Sequence, residues 1–272
     1  MRKYLLITLF GVLVFLGFLF DAVHMSVRLT GNPGSVRSLP LSIGDAILFE
    51  LGSHLPSDSL AGLTRLSFPT MWFLLNILPL YITLNYTTHD LGGCGIQVLT
   101  RLRSKKRWWL SKCVLSMAFV VTYYAVIYLF LAALCLASGF DLSLIPDETL
   151  FSIRFSAVFL SDGVTEFQMF LALCVMPCIV TAALSLAQMM LTLFIQPVFA
   201  YIAACAYVVG SVLCVHPAFI TNFAMPIRSS VVGIYDFDFT SGLVYSALIA
   251  TAAIVIGAVR ISRMDIIQGG KS

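Results

Sequence analysis

The sequence predicts an all-α integral membrane protein with six transmembrane helices, both termini in the cytoplasm and a short cytoplasmic helix between spans two and three. Of the 272 residues, 60% are hydrophobic and only 11% are charged, and long apolar runs recur along the chain. A soluble protein is roughly 45–50% apolar and about 25% charged. So few charges cannot cover a water-facing surface, and we therefore treat residues 1–272 as a single transmembrane domain.

Each span requires roughly 20 apolar residues at a rise of about 1.5 Å per residue. The spans must be helical because hydrocarbon offers no partner for a free backbone amide. The first run is too long for a signal-peptide core and lacks a small-x-small cleavage site, so it is counted as a span. Six runs meet these conditions, at about 4–22, 69–86, 109–137, 167–193, 198–216 and 242–260.

The distribution of basic residues predicts the orientation of the spans. Eleven Lys and Arg residues fall on the side that holds both termini and the segment 101–112, and five fall on the other side. Cytoplasmic loops carry the excess of Lys and Arg, so the first side is cytoplasmic. The acidic residues show the opposite distribution, and those on the outer side include Asp45, Glu50, Asp58, Asp141, Asp147, Glu148, Asp162, Asp236 and Asp238.

Three outer segments, 23–68, 138–166 and 217–241, are long enough to have structure of their own. The stretches "GDAILFELG" at 44–52 and "PDETLFSIRF" at 146–155 predict short helices that lie in the outer membrane interface. By contrast, "LFIQPVF" at 193–199 leaves only a few residues between spans four and five. Pro197 is well placed to begin span five, so these spans are predicted to form a tight hairpin.

The predicted membrane interior has almost no charge. No Asp, Glu, Lys or Arg occurs from Phe167 to Phe223, which disfavours ion-coupled carriers and voltage sensors. We expect hydrogen bonds between helices to account for most of the polar residues in the spans. These are Gln168, Gln188, Gln196, Thr181, Ser185, Thr192, Tyr123, Tyr124 and Tyr128.

Enzyme motifs are missing from the sequence. There is no HExxH or GxSxG pattern, and the tail "GGKS" at 269–272 fails as a phosphate-binding loop because residue 265 is Asp instead of Gly. The seven cysteines include no CxxC pair. We therefore expect no catalytic residue, no metal site, no cofactor and no disulfide framework in this chain.

The segment 87–112 combines a glycine-rich bend, an apolar stripe of Ile96, Leu99 and Leu102, and six basic residues that surround Trp108 and Trp109. A helix here would be amphipathic and would lie along the membrane. One interpretation is a topology anchor, with the two tryptophans at headgroup level. A second interpretation is a docking surface for a soluble partner, which would also explain the bend and the stripe.

The stretch "HDLGGCGIQVLTRLRSKKRWWLSKC" at 89–113 resembles the corresponding loop in membrane subunits of type-2 ABC exporters, and more narrowly in small permeases of Gram-positive bacteria that export antimicrobial peptides or drugs. The layout of six spans and the tail "RMDII" at 263–267 are also similar. The chain departs from the family in having only "MRKY" before its first span, where an amphipathic helix is common. The residues that match are Asp90, Leu91, Gly92, Gln97, Leu99, Arg101, Arg107, Trp108, Trp109 and Lys112.

The resemblance implies a coupling helix that contacts a separate ATPase through Asp90, Leu91, Gly92, Ile96, Gln97, Leu99, Arg101 and Leu102, and an interface anchor formed by Arg107, Trp108, Trp109 and Lys112. It implies a multi-pass protein of the bacterial plasma membrane. Its partners would be a soluble ABC ATPase that holds ATP and Mg²⁺, a second copy of itself or a related permease, and the lipid bilayer, with no nucleic acid.

The expected function is therefore that of a permease subunit of an ABC exporter. The uncharged interior suits an amphipathic or apolar cargo, such as a hydrophobic peptide, an antibiotic or a lipid. Two alternatives stay open at the level of sequence. One is a non-transporting immunity or scaffold protein of the membrane, and the other is an ATP-independent carrier or channel.

Overall fold

The computed structural model of the protein describes residues 16–17, 41–51, 69–84, 105–147, 163–232, 235 and 237–263. Within these ranges the chain is helical, with two isolated β-bridges and no strand, which confirms the predicted all-α class. Two short 3₁₀ turns, Ile220–Asn222 and Pro226–Arg228, precede the last helix. The helices are α1 (Ile43–Leu51), α2 (Thr70–Thr83), α3 (Lys105–Ala137), α4 (Glu166–Leu191), α5 (Pro197–Leu213) and α6 (Phe239–Arg263).

Three of these helices are long and apolar enough to cross a bilayer, and they indicate a membrane protein. They are α3, α4 and α6, with 33, 26 and 25 residues, at the positions of the predicted spans 109–137, 167–193 and 242–260. The apolar helices α2 and α5 have only 14 and 17 residues; α2 lies within the predicted span 69–86, and α5 begins one residue before the predicted span 198–216 and ends within it. Except for residues 16–17, the predicted span 4–22 lies outside the described residues, so the number six stays a prediction.

Helix α4 is the central element of the bundle and contacts α2, α3, α5 and α6. Over its most apolar stretch 61% of α4 is buried, compared with 33% of α3 and 22% of α6. The outward sides of α3 and α6 remain apolar, with Leu129 71% exposed and Leu248 62% exposed. Such uncovered apolar surface is what a helix presents to lipid.

A π-helical turn, Leu171–Val175, interrupts α4 immediately before Met176 and Pro177. In this turn the amide of Met176 donates to the carbonyl of Leu171, five residues earlier. Proline has no N–H and its ring crowds the carbonyl four residues before it, so one regular helical hydrogen bond is lost at this point. The π turn and the missing N–H of Pro177 therefore interrupt the regular hydrogen-bond pattern of α4 at adjacent positions.

The connection between α4 and α5 confirms the predicted tight hairpin. α4 ends at Leu191, and α5 begins at Pro197 after Gln196 takes an extended conformation. Pro197 occupies the first turn of α5, where the missing N–H costs no helical hydrogen bond. The signal for this turn is local, which is why the sequence was sufficient to predict it.

The short helix predicted within 44–52 forms as α1, but it is buried inside the bundle instead of lying in the outer interface. Every residue of α1 except Glu50 is buried. Gly44 permits this packing, because a Cβ atom at that position would lie 2.2 Å from the backbone oxygen of Leu144. The amides of Ile43 and Gly44 donate to the carbonyls of Asp141 and Ser143, which ties α1 to the segment that follows α3.

Residues 217–232, which belong to the outer segment 217–241, also fold into the bundle. Ile220, Ala224 and Met225 are buried. The indole of Trp72 on α2 donates to the carbonyl of Ala224 at 3.0 Å. The second predicted interfacial stretch, 146–155, lies almost wholly outside the described residues.

Candidate functional site

Two groups of basic residues lie at one end of the bundle, here called the basic end. A buried cluster joins the first turns of α3 to the last turns of α4 and α6, and includes Trp109, Leu193 and Ile261. At the opposite end, the hydroxyl of Ser143 after α3 donates to the carboxylate of Glu166 at the start of α4. The basic end comprises Lys105, Lys106, Arg107 and Lys112 on α3, and Arg260 and Arg263 on α6.

The basic residues of α3 belong to the same continuous helix as the apolar stretch that follows them. At about 1.5 Å per residue, the 33 residues of α3 measure roughly 50 Å, compared with about 30 Å for a hydrocarbon core. A helix of this length would extend beyond a bilayer that it crosses, which would place the charges of its first turns outside the hydrocarbon. The proposed coupling residues Asp90, Leu91, Gly92, Ile96, Gln97, Leu99, Arg101 and Leu102 all lie outside the described residues.

Trp108 and Trp109 do not direct their rings toward lipid; both are buried, with exposures of 3% and 1%. The indole N–H of Trp109 donates to the carbonyl of Ile254 on α6 at 2.9 Å. The ammonium of Lys112 lies 5.6 Å from the ring centroid of Trp108. The two tryptophans therefore pack α3 against α4 and α6 at the basic end. The sequence predicted only a position at headgroup level and not this packing.

The turn between α4 and α5 also belongs to the basic end. The guanidinium of Arg260 lies 5.1 Å from the ring centroid of Phe194, within the range of a cation–π interaction. Leu193 is buried in the same cluster as Trp109. Elements that are distant in sequence thus form one surface around the start of α3.

Hydrogen bonds between helices account for most of the polar side chains inside the bundle, as predicted. Thr181 on α4 donates to Asn76 on α2 at 2.9 Å and lies 2.7 Å from the hydroxyl of Tyr124 on α3. The Ser116 and Ser185 hydroxyls are 2.8 Å apart. Gln188 donates to the carbonyl of Leu80 near the end of α2 at 3.1 Å. Two other polar residues make local hydrogen bonds instead: Gln168 completes the N-cap of α4, and Thr192, which follows α4, donates to the carbonyl of Met189.

Two buried charged residues lie at the end of the bundle opposite the basic end. Asp45 forms a capping box with Ser42 at the start of α1: the Ser42 amide and hydroxyl donate to its carboxylate at 3.0 and 2.9 Å, and the Asp45 amide donates back at 3.2 Å. Burial raises the pKa of the Asp45 carboxyl from 3.8 to about 6, against the opposing effect of the bonds from Ser42. The spacing Ser-x-x-Asp in the sequence is typical of a helix N-cap, but it does not indicate that the cap is buried.

Arg228 is fully buried and closes the C-terminal end of α5. Its guanidinium donates to the carbonyls of Ser211 and Val212 at 2.7 and 3.0 Å, and to the side chain of Asn222. Carbonyls in the last turn of a helix have no helical donor, and a cation there also interacts favourably with the helix dipole. Burial lowers the pKa of Arg228 to about 10, which leaves it charged at neutral pH.

Within the described ranges, no group of three His, Cys, Asp or Glu side chains is arranged to hold a metal ion. Comparison with curated proteins and with solved structures finds no significant match for this chain. A family model described as "Protein of unknown function (DUF2705)" matches residues 41–267. The match covers most of the 272 residues, so the protein belongs to the DUF2705 family.

Proposed function

We propose that this protein is the membrane-spanning permease subunit of an ATP-driven ABC exporter of the bacterial plasma membrane. A separate soluble ATPase would dock on the segment 87–107, and two permease subunits would form the pathway. The observation that carries the proposal is the continuity of α3, whose 33 residues begin with the charged turns that follow this segment. A displacement of the docking segment would reach the middle of the bilayer through a single rigid helix.

The packing of the basic end supports this transmission. Trp109 attaches the start of α3 to α6 through the carbonyl of Ile254. The buried cluster around it includes Leu186 and Met189 of the central helix α4. A force applied at the start of α3 would therefore move α3, α4 and α6 together, as a rocking motion of packed helices requires.

The chemistry of the interior supports a source of energy outside this chain. Each of α3, α4 and α6 has charged residues at one end. The rest of each helix contains no Asp, Glu, Lys or Arg. Proton-coupled and ion-coupled carriers use such groups inside the membrane. Polar side chains such as Thr181 and Ser185 are engaged in bonds between helices. The uncharged interior suits an amphipathic or apolar cargo.

A non-transporting immunity or scaffold protein is the second candidate. The observation in its favour is the burial of α1 and of residues around Ala224, which fill the end of the bundle opposite the basic end. The same filling argues against a permanently open channel. The two candidates differ in whether the chain needs an ATPase.

The test is affinity purification of the tagged chain from membranes of its native host. We expect a soluble ABC ATPase to co-purify, and we expect ATP hydrolysis to be absent from the chain alone. Leu99→Asp combined with Leu102→Asp should abolish this association, because two charges would replace apolar side chains that are each worth roughly 1.5–3 kcal/mol when buried. Acidic residues have little influence on topology, so insertion should be normal.

The matched control is Lys105→Arg with Lys106→Arg, which keeps the positive charge beside the same segment. This variant should retain the ATPase if the apolar stripe makes the contact. Retention of the ATPase by the Leu99 and Leu102 variant would reject the docking segment. If no ATPase co-purifies with the unmodified chain, the immunity or scaffold candidate is favoured.

A further inference from the structure

Two helices of the bundle contain an internal proline. Pro79 lies inside α2, and Pro177 follows the π turn of α4. A proline has no N–H, so the carbonyl four residues earlier loses its usual α-helical donor. That carbonyl belongs to Leu75 in α2 and to Leu173 in α4.

A tyrosine hydroxyl of α3 donates to each of these two carbonyls. The Tyr123 hydroxyl donates to Leu75 at 3.2 Å, and the Tyr128 hydroxyl donates to Leu173 at 2.8 Å. One helix thus supplies a replacement donor at both prolines. Most carbonyls inside a helix already accept a hydrogen bond from the backbone amide four residues later. The two tyrosines therefore bond to the carbonyls that lack such a donor.

Tyr124 links the two positions on α3. Its ring lies 5.4 Å from the ring of Tyr123 and 5.8 Å from the ring of Tyr128, measured between centroids. The hydroxyl of Tyr124 bonds to neither of these two carbonyls. It lies 2.7 Å from the hydroxyl of Thr181 instead. Tyr124 is therefore a buried tyrosine of the same helix that serves as an internal comparison.

The backbone before Pro177 has space beside it. A cavity of about 210 Å³ is lined by Leu171, Ala172 and Met176 of α4 and by Phe223 and Phe237 of the segment before α6. This volume would admit a displaced side chain. There is therefore room on this side for a bend of α4 at Pro177.

We propose that Pro79 and Pro177 are hinges in α2 and α4, and that the hydroxyls of Tyr123 and Tyr128 are the latches that hold them. When a latch bond is made, the carbonyl before the proline is satisfied and the helix is held against α3. When it opens, the helix is free to bend at the proline. This inference concerns the bundle itself and does not depend on the proposed transport function.

The test is a double-mutant cycle between each tyrosine and its proline, followed by hydrogen–deuterium exchange of the whole protein in detergent. Tyr128→Phe should accelerate amide exchange in residues 166–180 by about tenfold, the factor expected for the loss of one ordinary hydrogen bond. In a Pro177→Ala background a regular α-helical turn can replace the π turn, so that the new backbone N–H donates to Leu173. The same change should then accelerate exchange by less than about twofold. Tyr123→Phe and Pro79→Ala form a second, independent cycle on α2.

Tyr124→Phe is the matched control, and its effect on exchange should be the same in the unmodified and the Pro177→Ala backgrounds. If Tyr128→Phe also has equal effects in the two backgrounds, the hydroxyl is an ordinary buried phenol and the latch is rejected. Acceleration spread evenly over α4 and α6, instead of concentrated before Pro177, would likewise reject the hinge. If Pro177→Ala fails to fold, the cycle on α2 decides by the same criterion.

Discussion

The indole ring of Trp109 lies directly on Gly257 of α6, one helical turn beyond the carbonyl that accepts its N–H. A Cβ atom placed on Gly257 would lie 2.1 Å from Cζ2 of Trp109. The indole N–H donates to Ile254 at 2.9 Å, and the ring is only 1% exposed. Close approach at a small residue is a common way for membrane helices to pack. At this contact, 145 residues apart in sequence, α3 and α6 are joined at the basic end.

We expect Gly257→Ala to destabilise the protein, because the added methyl group would displace the indole of Trp109. Overpacking of a buried contact costs about 1–3 kcal/mol. The free energy of unfolding in detergent, followed by tryptophan fluorescence, measures the effect. Ala252→Val, which adds bulk on the exposed side of the same helix, should change stability little. Equal stability of the Gly257 variant and the unmodified protein would mean that Trp109 does not pack on α6 as described.

Arg228→Met should lower the free energy of unfolding by about 3 kcal/mol, because it leaves buried acceptors on Ser211 and Val212 without their donor. Arg228→Lys keeps the charge but not the planar arrangement of donors, so we expect only partial recovery. Chemical denaturation in detergent is the measurement. The exposed Arg263 is the control, and its change to Met should have little effect. Full recovery with Lys would show that charge alone closes α5.

Asp45 should make stability depend on pH. Because burial raises the folded pKa from 3.8 to about 6, the protonated form is favoured in the folded protein. Protonated Asp45 therefore adds about 2–3 kcal/mol to the free energy of unfolding. This contribution is fully present below about pH 4 and is lost as the pH rises through about 6. Asp147 acts in both directions, because its backbone hydrogen bond to Asp45 lowers this pKa and its negative charge raises it by a smaller amount.

Asp45→Asn should remove this dependence, so that the variant is more stable than the unmodified protein at pH 7.5 and gains nothing between pH 7.5 and 5. Unfolding measured across this range provides the test. Asp141→Asn, at an exposed position in the neighbouring segment, should leave the pH profile unchanged. A profile for Asp45→Asn that parallels that of the unmodified protein would assign the dependence to another group.

The orientation predicted from the basic residues can be tested at positions that the structure shows to be accessible. In a variant with the seven native cysteines replaced, Leu142→Cys and Ser262→Cys lie at opposite ends of the bundle, and residue 142 is 51% exposed. A membrane-impermeant maleimide applied to intact cells should label residue 142 and not residue 262. Permeabilised cells, in which both should react, are the control. The reverse pattern would overturn the orientation.

The sequence alone was sufficient for features that depend on neighbouring residues. The apolar runs located α3, α4 and α6 to within a few residues, because hydropathy over about 20 residues is what a bilayer requires of a helix. Pro197 marked the start of α5, since a proline at the first helical position needs no donor. The lack of charge between Phe167 and Phe223 limited the kinds of transport to be considered.

Only the tertiary structure showed that α1 is buried, that Arg228 closes α5, and that tyrosines of α3 donate to carbonyls exposed by prolines in α2 and α4. The residues in each of the tyrosine bonds are more than 40 positions apart, such as Tyr128 and Leu173. No local pattern of hydropathy or spacing encodes a contact of this kind, because it depends on which helices become neighbours. Polar groups in the membrane must find partners inside the protein, but the packing of the whole bundle decides which partners they find.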